Sequence, residues 1–342
     1  MPAAGVCYAK DVNRPERPSW STAPSGDGRA GAQAGPAVLF VGGMGRSGST
    51  LMGRLLAEVP GFVTVGELGF IWHRGFAQNV RCGCGVPFRD CPFWQHVLGE
   101  AFGSGRGPTE GVLQELRTFW DQRALPLVAF PALWPQTYRR RFELYRDHVA
   151  ALLGAVQRVT GARAIVDTSK TPAHLVALAS VPGLAVHVVH LVRDSRAVAY
   201  SWEQRRQRGE RDRTDVDWPP SSPWKTAALW DGVNALMWAV RRRATSYTTV
   251  RYEDFVSAPA EHVRRLVAVV DGSAAPEPEA PRGAEGVARL GVHHTVAGNP
   301  MRFQTGPIEV REDNEWREAI GTAGRAVVTA LTWPLLRMYG YR

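Results

Sequence analysis

The chain has 342 residues, of which 44% are hydrophobic, so it is long enough for one large domain or two small ones. Its formal net charge of +9 at pH 7 favours anionic ligands, but the basic residues form no recognisable nucleic-acid-binding module, and we expect no nucleic-acid partner. The four cysteines are too few for a disulfide-stapled scaffold, no run of about 18 apolar residues predicts a membrane span, and no secretory signal is recognisable. We therefore expect a cytoplasmic protein without a transmembrane segment.

The first 36 residues are rich in Pro, Gly, Ala, Ser and charged residues, and they predict a disordered tail. Residues 37–342 are interpreted as a single domain. Arginine greatly outnumbers lysine throughout, which is typical of a GC-rich bacterial genome.

The first predicted strand, "AVLFVG" at 37–42, leads through a Gly-rich turn into a helix that begins with "TLMGRLLAEV". The spacing Gly43-x4-Gly48-x-Thr50 fits the Walker A pattern, but Ser49 stands where the lysine should be. A positive charge appears three residues earlier, as Arg46. Backbone amides, a helix N-terminus, hydroxyls and a guanidinium suit a phosphate or sulfate group, whereas the missing lysine argues against a magnesium–nucleoside triphosphate.

Strands and helices alternate through the rest of the chain, which predicts an α/β fold with a mostly parallel central sheet flanked by helices. We expect a loop-rich insertion at 82–135, strands within 61–68, 163–170, 185–194 and 247–255, and helices at 137–161, 195–206, 224–244, 259–271 and from 314 onward. Ligands of such sheets bind at the carboxyl ends of the strands. Charged residues follow four of the predicted strands there: Arg46, Glu67, Asp167 with Lys170, and Arg193 with Asp194.

Two motifs resemble those of sulfotransferases that use PAPS (3′-phosphoadenosine 5′-phosphosulfate). "GRSGSTLMGRLLAEVPGFVTVGEL" is similar to the phosphosulfate loop and following Gly-Glu pair of the tyrosylprotein and carbohydrate branch. "HLVRDSRAVAYSW" is similar to the family's 3′-phosphate motif, an Arg followed eight residues later by a Ser. The resemblance covers roughly residues 37–270 and implies a P-loop-like sulfotransferase architecture.

The resemblance implies a role for each matching residue. Arg193 and Ser201 would hold the 3′-phosphate, Glu67 would be the general base, and Lys170 would stabilise the leaving phosphate. The 5′-phosphosulfate would be held by Arg46 and by the backbone amides of Ser47, Gly48, Ser49, Thr50 and Leu51. No metal is required if these groups neutralise the developing charge.

Two further stretches bear on the site. In "SKTPAH", Pro172 stands where another branch of the family has a catalytic histidine, which favours Glu67 as the base and leaves His174 as a second candidate. "HHTVAGNPMRFQTGPIEV" resembles, more loosely, the C-terminal loop that closes over the nucleotide, with Gly298, Asn299 and Arg302 as its candidate contacts.

The cysteines of "RCGCGVPFRDCPFW" leave three alternatives open. Cys82, Cys84 and Cys91 are compatible with a metal site, for which His96, His73 or Cys7 would provide the fourth ligand. They are equally compatible with a disulfide or with free thiols in a loop that shapes the acceptor site.

The sequence thus predicts transfer of the PAPS sulfonate to a hydroxyl of a small-molecule, glycan or glycolipid acceptor. The alternatives are a nucleotide-dependent kinase or NTPase with a degenerate phosphate loop, and a nucleotide-binding protein without catalytic activity. The pattern does not indicate an oligomeric state.

Overall fold

Five short segments form a parallel sheet in the computed structural model, which describes residues 36–103, 107–121, 128–207, 222–272 and 287–342. The strands are β1 (Ala37–Gly42), β2 (Phe62–Gly66), β3 (Ala164–Lys170), β4 (Ala185–Val192) and β5 (Ser246–Arg251), in the spatial order β2-β3-β1-β4-β5. All four pairings are parallel. The predicted α/β class with a parallel central sheet is confirmed.

Eleven helices are described around this sheet within the ranges given above. They are α1 (Ser49–Ala57), α2 (Pro92–Phe102), α3 (Glu110–Asp121), α4 (Gln136–Thr160), α5 (Pro172–Leu178), α6 (Ser195–Gln207), α7 (Pro223–Val240), α8 (Tyr252–Ser257), α9 (Pro259–Asp271), α10 (Trp316–Ala319) and α11 (Thr322–Met338). None of the described helices combines the length and the hydropathy that a membrane-spanning helix requires.

Alternate residues of β1 belong to different hydrophobic cores, because successive side chains of a strand point to opposite faces. Val38 and Phe40 lie in the core that contains α4 residues such as Val149. Leu39 and Val41 lie in the core built with α1 and α9. Helices therefore cover both faces of the sheet, and its open carboxyl edge is left for a ligand.

The helix boundaries largely follow the sequence signals. Gly161 ends α4 in the left-handed conformation (φ 65°), as predicted. The Asp194 carboxylate accepts a hydrogen bond of 2.8 Å from the Arg196 amide at the start of α6. The predicted strand 247–255 ends early, at Arg251, because Glu253 and Asp254 lie in the first turn of α8, where carboxylates favour a helix.

Three elements were not predicted. Helix α5 follows β3 directly, a π-helix spans Ile71–Ala77, and an antiparallel pair joins β6 (Val287–Leu290) to β7 (Gly306–Glu309). Within 82–135, α2 and α3 contribute Trp94 and Phe119 to the main core. The predicted N-terminal tail falls on residues 1–35, outside the described part of the chain, and stays a prediction.

Candidate active site

A cavity of about 460 Å³ opens at the carboxyl edge of the sheet, where the sequence predicted a ligand. The segments that follow β1, β2, β3 and β4 all contribute to its lining. The charged side chains on its wall are those of Arg46, Lys170, Arg193 and Arg205, and of Glu67 and Asp313. Four cations against two anions make the cavity suitable for an anionic ligand.

The loop after β1 is held in a tight turn by its close neighbours. The Gly43 amide donates to the Lys170 carbonyl oxygen over 3.1 Å. Gly43 has φ 128°, and a Cβ there would lie 2.4 Å from the Leu191 carbonyl oxygen. Arg46 also has a positive φ, 73°, which is costly for a residue with a side chain and is typical of functional sites.

Helix α1 begins at the cavity without a side-chain cap, since its N-cap residue is Gly48. The first amides of a helix have no intrahelical acceptor, so they are available to an anion. The buried Ser47 hydroxyl has no hydrogen-bond partner among the described residues. Ser49, Thr50 and Leu51 line the cavity, as the sequence predicted for an anion-binding loop.

Arg46 and Ser201 meet on one side of the cavity, although 155 positions separate them in the chain. The Arg46 Nε donates to the Ser201 hydroxyl over 3.0 Å. The Arg193 guanidinium donates to the Arg46 carbonyl oxygen (3.1 Å) and stacks on the Tyr252 ring, 4.5 Å from its centroid. Burial raises the pKa of Tyr252, so its ring stays a neutral platform for the cation.

Arg193 already binds one carboxylate. Its Nη2 donates to Asp313 Oδ2 over 2.9 Å, while its buried Nε has no hydrogen-bond partner in the described ranges. The Asp313 side chain is 43% exposed, whereas that of Arg193 is 7% exposed. The sequence analysis missed Asp313, which follows no strand and lies in an unremarkable polar segment.

Glu67 and Lys170 contact each other in the cavity lining. The Lys170 ammonium donates to Glu67 Oε1, and both side chains are largely buried. Lys170 has φ 69°, a second strained backbone position in the same wall. Asp167 is not its partner, because that carboxylate accepts from Ser169 and from His174.

His174 lies in a buried hydrogen-bond network away from the cavity lining. Its ring is fully buried between Asp167 Oδ2 and the Tyr145 hydroxyl, each 2.7 Å from one ring nitrogen. It does not line the cavity. Among the two bases that the sequence offered, Glu67 alone faces the ligand space.

The C-terminal segment closes one wall. Gly298 and Asn299 line the cavity, and the Asn299 amide donates to the Thr50 hydroxyl over 3.2 Å. The third candidate, Arg302, does not line the cavity. Its buried guanidinium donates a hydrogen bond to the carbonyl oxygen of Gly298, which does line it. Arg302 therefore supports the wall in this structure without reaching the ligand space.

Two groups of apolar side chains flank the charged centre. The first group consists of Phe70, Phe119, Tyr138 and Pro172, of which Phe70 and Pro172 lie near Glu67 and Lys170 in the chain. A second group, around Arg193 and Ser201, consists of Trp202, Leu229 and Val233. No sequence signal pointed to Phe119, which lies on α3.

The cysteines form a cluster with a residue that the sequence analysis did not consider. Cys82, Cys84 and Cys91 lie with His294, and their ligand atoms are all within 4.8 Å of one another. This histidine, and not His96 or His73, is the fourth member of the described cluster; Cys7 lies outside the described residues. None of the four lines the cavity.

The sequence matches no protein-family model and no curated protein. Among solved structures, it is similar to the sulfotransferase domain of the olefin synthase from Synechococcus PCC 7002, with 18% identity and a TM-score of 0.47 over 93% of this chain and 99% of that one. It is similar to the sulfotransferase domain from the curacin biosynthetic pathway, with 14% identity and a TM-score of 0.49 over 90% and 98%. A third is sulfotransferase STF9 from Mycobacterium avium, with 15% identity and a TM-score of 0.44 over 91% and 78%. At these low values the similarity does not decide an activity, which has to be argued from the site.

Proposed function

We propose that this protein is a PAPS-dependent sulfotransferase that moves a sulfonate to a hydroxyl of a small-molecule, glycan or glycolipid acceptor. The observation that carries the proposal is one cavity that holds both kinds of group that sulfonate transfer needs. An uncapped helix N-terminus and the Arg46–Ser201–Arg193 contacts form what we call the donor end. The Glu67–Lys170 pair lies close to it, since a Cβ added at Gly298 would be 3.2 Å from Thr50 Oγ1 and 3.6 Å from Glu67 Oε1. The donor end suits a doubly phosphorylated donor, and the pair suits activation of a hydroxyl beside it.

The donor end has a buried polar group without a hydrogen-bond partner in the described structure, the Arg193 Nε, on a residue that lines the cavity. A buried polar group in this condition is costly, and an anion that accepts from it would remove the cost. The Ser47 hydroxyl is also buried without a partner in the described ranges, but Ser47 does not line the cavity. The α1 amides and Arg46 would hold the 5′-phosphosulfate, and Arg193 with Ser201 would hold the 3′-phosphate in place of Asp313.

Catalysis would require one proton transfer and one displacement. The acceptor oxygen attacks the sulfur and forms the new S–O bond, while its proton passes to the Glu67 carboxylate. The bond between the sulfur and the bridging oxygen breaks, and its electron pair leaves on the 5′-phosphate of adenosine 3′,5′-bisphosphate. A positioned general base of this kind contributes about 10²–10⁴-fold to the rate.

Lys170 would act on the leaving group. Its ammonium donates to Glu67 in the structure, so the two catalytic groups lie within hydrogen-bond distance before substrates bind. Negative charge grows on the bridging oxygen as the S–O bond breaks, and a fixed ammonium there stabilises the transition state more than the ground state. Arg46 would add a second positive charge on the same phosphate.

The acceptor would lie against the apolar group of Phe70, Phe119 and Tyr138. All three rings are largely buried, so they offer a preformed apolar surface near Glu67. A hydroxyl carried on an aromatic or lipid body fits this surface better than a bare sugar does. Because Phe119 lies on α3, the predicted insertion at 82–135 would contribute to acceptor choice.

The proposal is tested by calorimetric titration of the full chain without chelator, with adenosine 3′,5′-bisphosphate in the absence of added divalent cations and, separately, with ATP in the presence of Mg²⁺. We expect adenosine 3′,5′-bisphosphate to bind with micromolar or tighter affinity, and ATP with Mg²⁺ to bind weakly. The Arg193→Ala variant should lose far more affinity for the bisphosphate than for adenosine 5′-monophosphate, while Arg317→Ala, an exposed arginine, should lose neither. Tight binding of ATP–Mg²⁺ alone would instead favour the kinase or NTPase alternative.

A further inference from the structure

The four-residue cluster away from the cavity has the geometry of a metal site. Cys84 Sγ lies 3.6 Å from Cys91 Sγ. His294 Nδ1 lies 3.3 Å from Cys91 Sγ and 3.8 Å from Cys82 Sγ. Three sulfurs and one nitrogen therefore surround a common centre.

These separations match the edges of a zinc tetrahedron. With Zn–S bonds of about 2.3 Å and Zn–N bonds of about 2.0 Å, two sulfurs lie about 3.8 Å apart and a sulfur and a nitrogen about 3.5 Å apart. A disulfide needs about 2.0 Å between its sulfurs, and the described cysteines are not bonded to one another. All ligand atoms are close enough to share one ion, so the arrangement suits a mononuclear centre.

The backbone around Cys82 and Cys84 is built to bring their thiols together. A β-bridge pairs Arg81 with Pro87, the Cys82 amide donates to the Val86 carbonyl oxygen (2.7 Å), and the Gly85 amide donates back to Cys82 (2.8 Å). This tight turn contains both cysteines. Cys91 lies at the N-terminus of α2, where the helix begins next to the same turn.

His294 reaches the cysteines from a distant part of the chain and is held in a defined orientation. Its ring stacks on Phe93 with centroids 4.7 Å apart and planes 11° apart. The Gly83 amide donates to the Thr295 carbonyl oxygen over 3.0 Å. A Cβ at Gly83 would lie 2.3 Å from the His293 carbonyl oxygen, so glycine is what permits this close approach.

We propose that Cys82, Cys84, Cys91 and His294 bind one Zn²⁺ as a structural site. Thiolates with one imidazole are a ligand set that zinc prefers, and four protein ligands leave no open position for catalysis. The proposal is independent of the proposed sulfonate transfer, because none of the four residues lines the cavity.

The ion would fix the wall of the cavity from outside. It would join the turn at 82–85 and α2 to the segment that runs from His294 to Asn299. That segment pairs with β2 through the Val296 amide and the Val65 carbonyl oxygen (3.1 Å), and it contacts Thr50 through Asn299. Removal of the metal should therefore loosen the segment and lower the melting temperature of the full chain.

The test is the metal content of the full-length protein, purified without a histidine tag and without chelator, by inductively coupled plasma mass spectrometry. We expect one zinc per chain. Cys84→Ser and His294→Ala should each lose at least ten-fold in zinc affinity, because each removes a ligand. The matched control is His96→Ala, an exposed histidine on α2 outside the cluster, which should keep the full zinc content.

A second measurement on the wild-type chain applies even if the variants fail to fold. Cys82, Cys84 and Cys91 should resist alkylation in the native protein and react once a strong chelator is added, as followed by peptide mass spectrometry. Three outcomes would overturn the proposal: full alkylation without chelator, a disulfide between any two of these cysteines in freshly purified protein, or iron in place of zinc.

Discussion

Glu67 and Lys170 are the residues on which the proposed chemistry depends most. Both were identified from the sequence because charged residues after parallel strands collect at one edge of the sheet. In the structure the two side chains contact each other, and Gly298 approaches them closely. A Cβ added at this glycine would lie 3.6 Å from Glu67 Oε1. That last contact joins residues 231 positions apart, and no local pattern predicts such a contact.

Replacement of the base tests its role. Glu67→Gln keeps the shape of the side chain but cannot accept the acceptor proton, so kcat should fall about 10²–10⁴-fold. The affinity for adenosine 3′,5′-bisphosphate should stay within a few-fold in calorimetry, because in the proposed mechanism Glu67 acts on the acceptor hydroxyl and does not hold the nucleotide. Glu100→Gln, which removes only a surface ion pair with Arg158, is the control. A Glu67→Gln enzyme with nearly normal kcat would show that another group is the base.

Asp313 gives a second prediction at this scale. Its carboxylate accepts a hydrogen bond from the Arg193 guanidinium. In the proposed function the 3′-phosphate of the donor would displace this carboxylate. Asp313→Asn removes the competing charge, and the Kd for adenosine 3′,5′-bisphosphate should fall several-fold in a calorimetric titration.

The neighbouring carboxylate provides the matched control for Asp313. Glu312 lies within 3.7 Å of Arg317 and does not contact Arg193 in the described structure. Glu312→Gln should leave the Kd unchanged. If Asp313→Asn instead weakens binding, the carboxylate would be part of the donor site and not a stand-in for the phosphate.

At the scale of elements, the strands and long helices could be predicted because their signals are local. An apolar run predicts a buried strand, and a Pro or a Gly predicts the start or the end of a helix. Each of these signals is recognised from neighbouring residues alone. The pair of β6 and β7 could not be predicted, since each strand has four residues, and two positions of β6 and all four of β7 are exposed or partly exposed. The bounds of α3 could not be predicted within the loop-rich stretch 82–135, because the Pro and Gly around it indicate irregular structure.

Three neighbouring elements share one buried histidine, which makes stability depend on pH. His190 of β4 accepts a hydrogen bond at Nδ1 from the Tyr247 hydroxyl of β5 and donates from Nε2 to Asn234 of α7, so the neutral ring fits this site. Burial lowers the pKa of His190 from 6.5 to about 4. The unfolded chain therefore takes up this proton below pH 6.5, whereas the folded chain does not until about pH 4.

The stabilising contribution of neutral His190 is complete above pH 6.5 and is lost as the pH falls towards 4. Between pH 7.5 and 5 it should lower the free energy of unfolding by about 2 kcal/mol. Urea unfolding at the two pH values measures this loss, and His190→Gln isolates it from the other titrating groups. An equal pH dependence in wild type and variant would exclude His190 as the cause.

At the scale of the whole molecule, the site is assembled from parts that are far apart in the sequence. The loop after β1 supplies the uncapped start of α1, β2 and β3 supply the Glu67–Lys170 pair, and β4 with α6 supplies Arg193 and Ser201. The C-terminal segment closes the wall from beyond residue 290. Sequence motifs could indicate the first three parts and, more loosely, Gly298 and Asn299 of the closing segment, whereas the cluster of His294 with the cysteines emerges only when the chain is folded.

Transfer of a labelled sulfonate tests the central claim most directly. Full-length protein would be incubated with sulfur-labelled PAPS and with separate extracts of small molecules, lipids and glycans, beside the Glu67→Gln variant. The account predicts that wild-type protein moves the label to an organic acceptor and releases adenosine 3′,5′-bisphosphate in equal amount, and that the variant does not. A parallel assay would use phosphate-labelled ATP with the same extracts. The account is contradicted if the sulfur label stays on PAPS in every extract while phosphate from ATP is transferred.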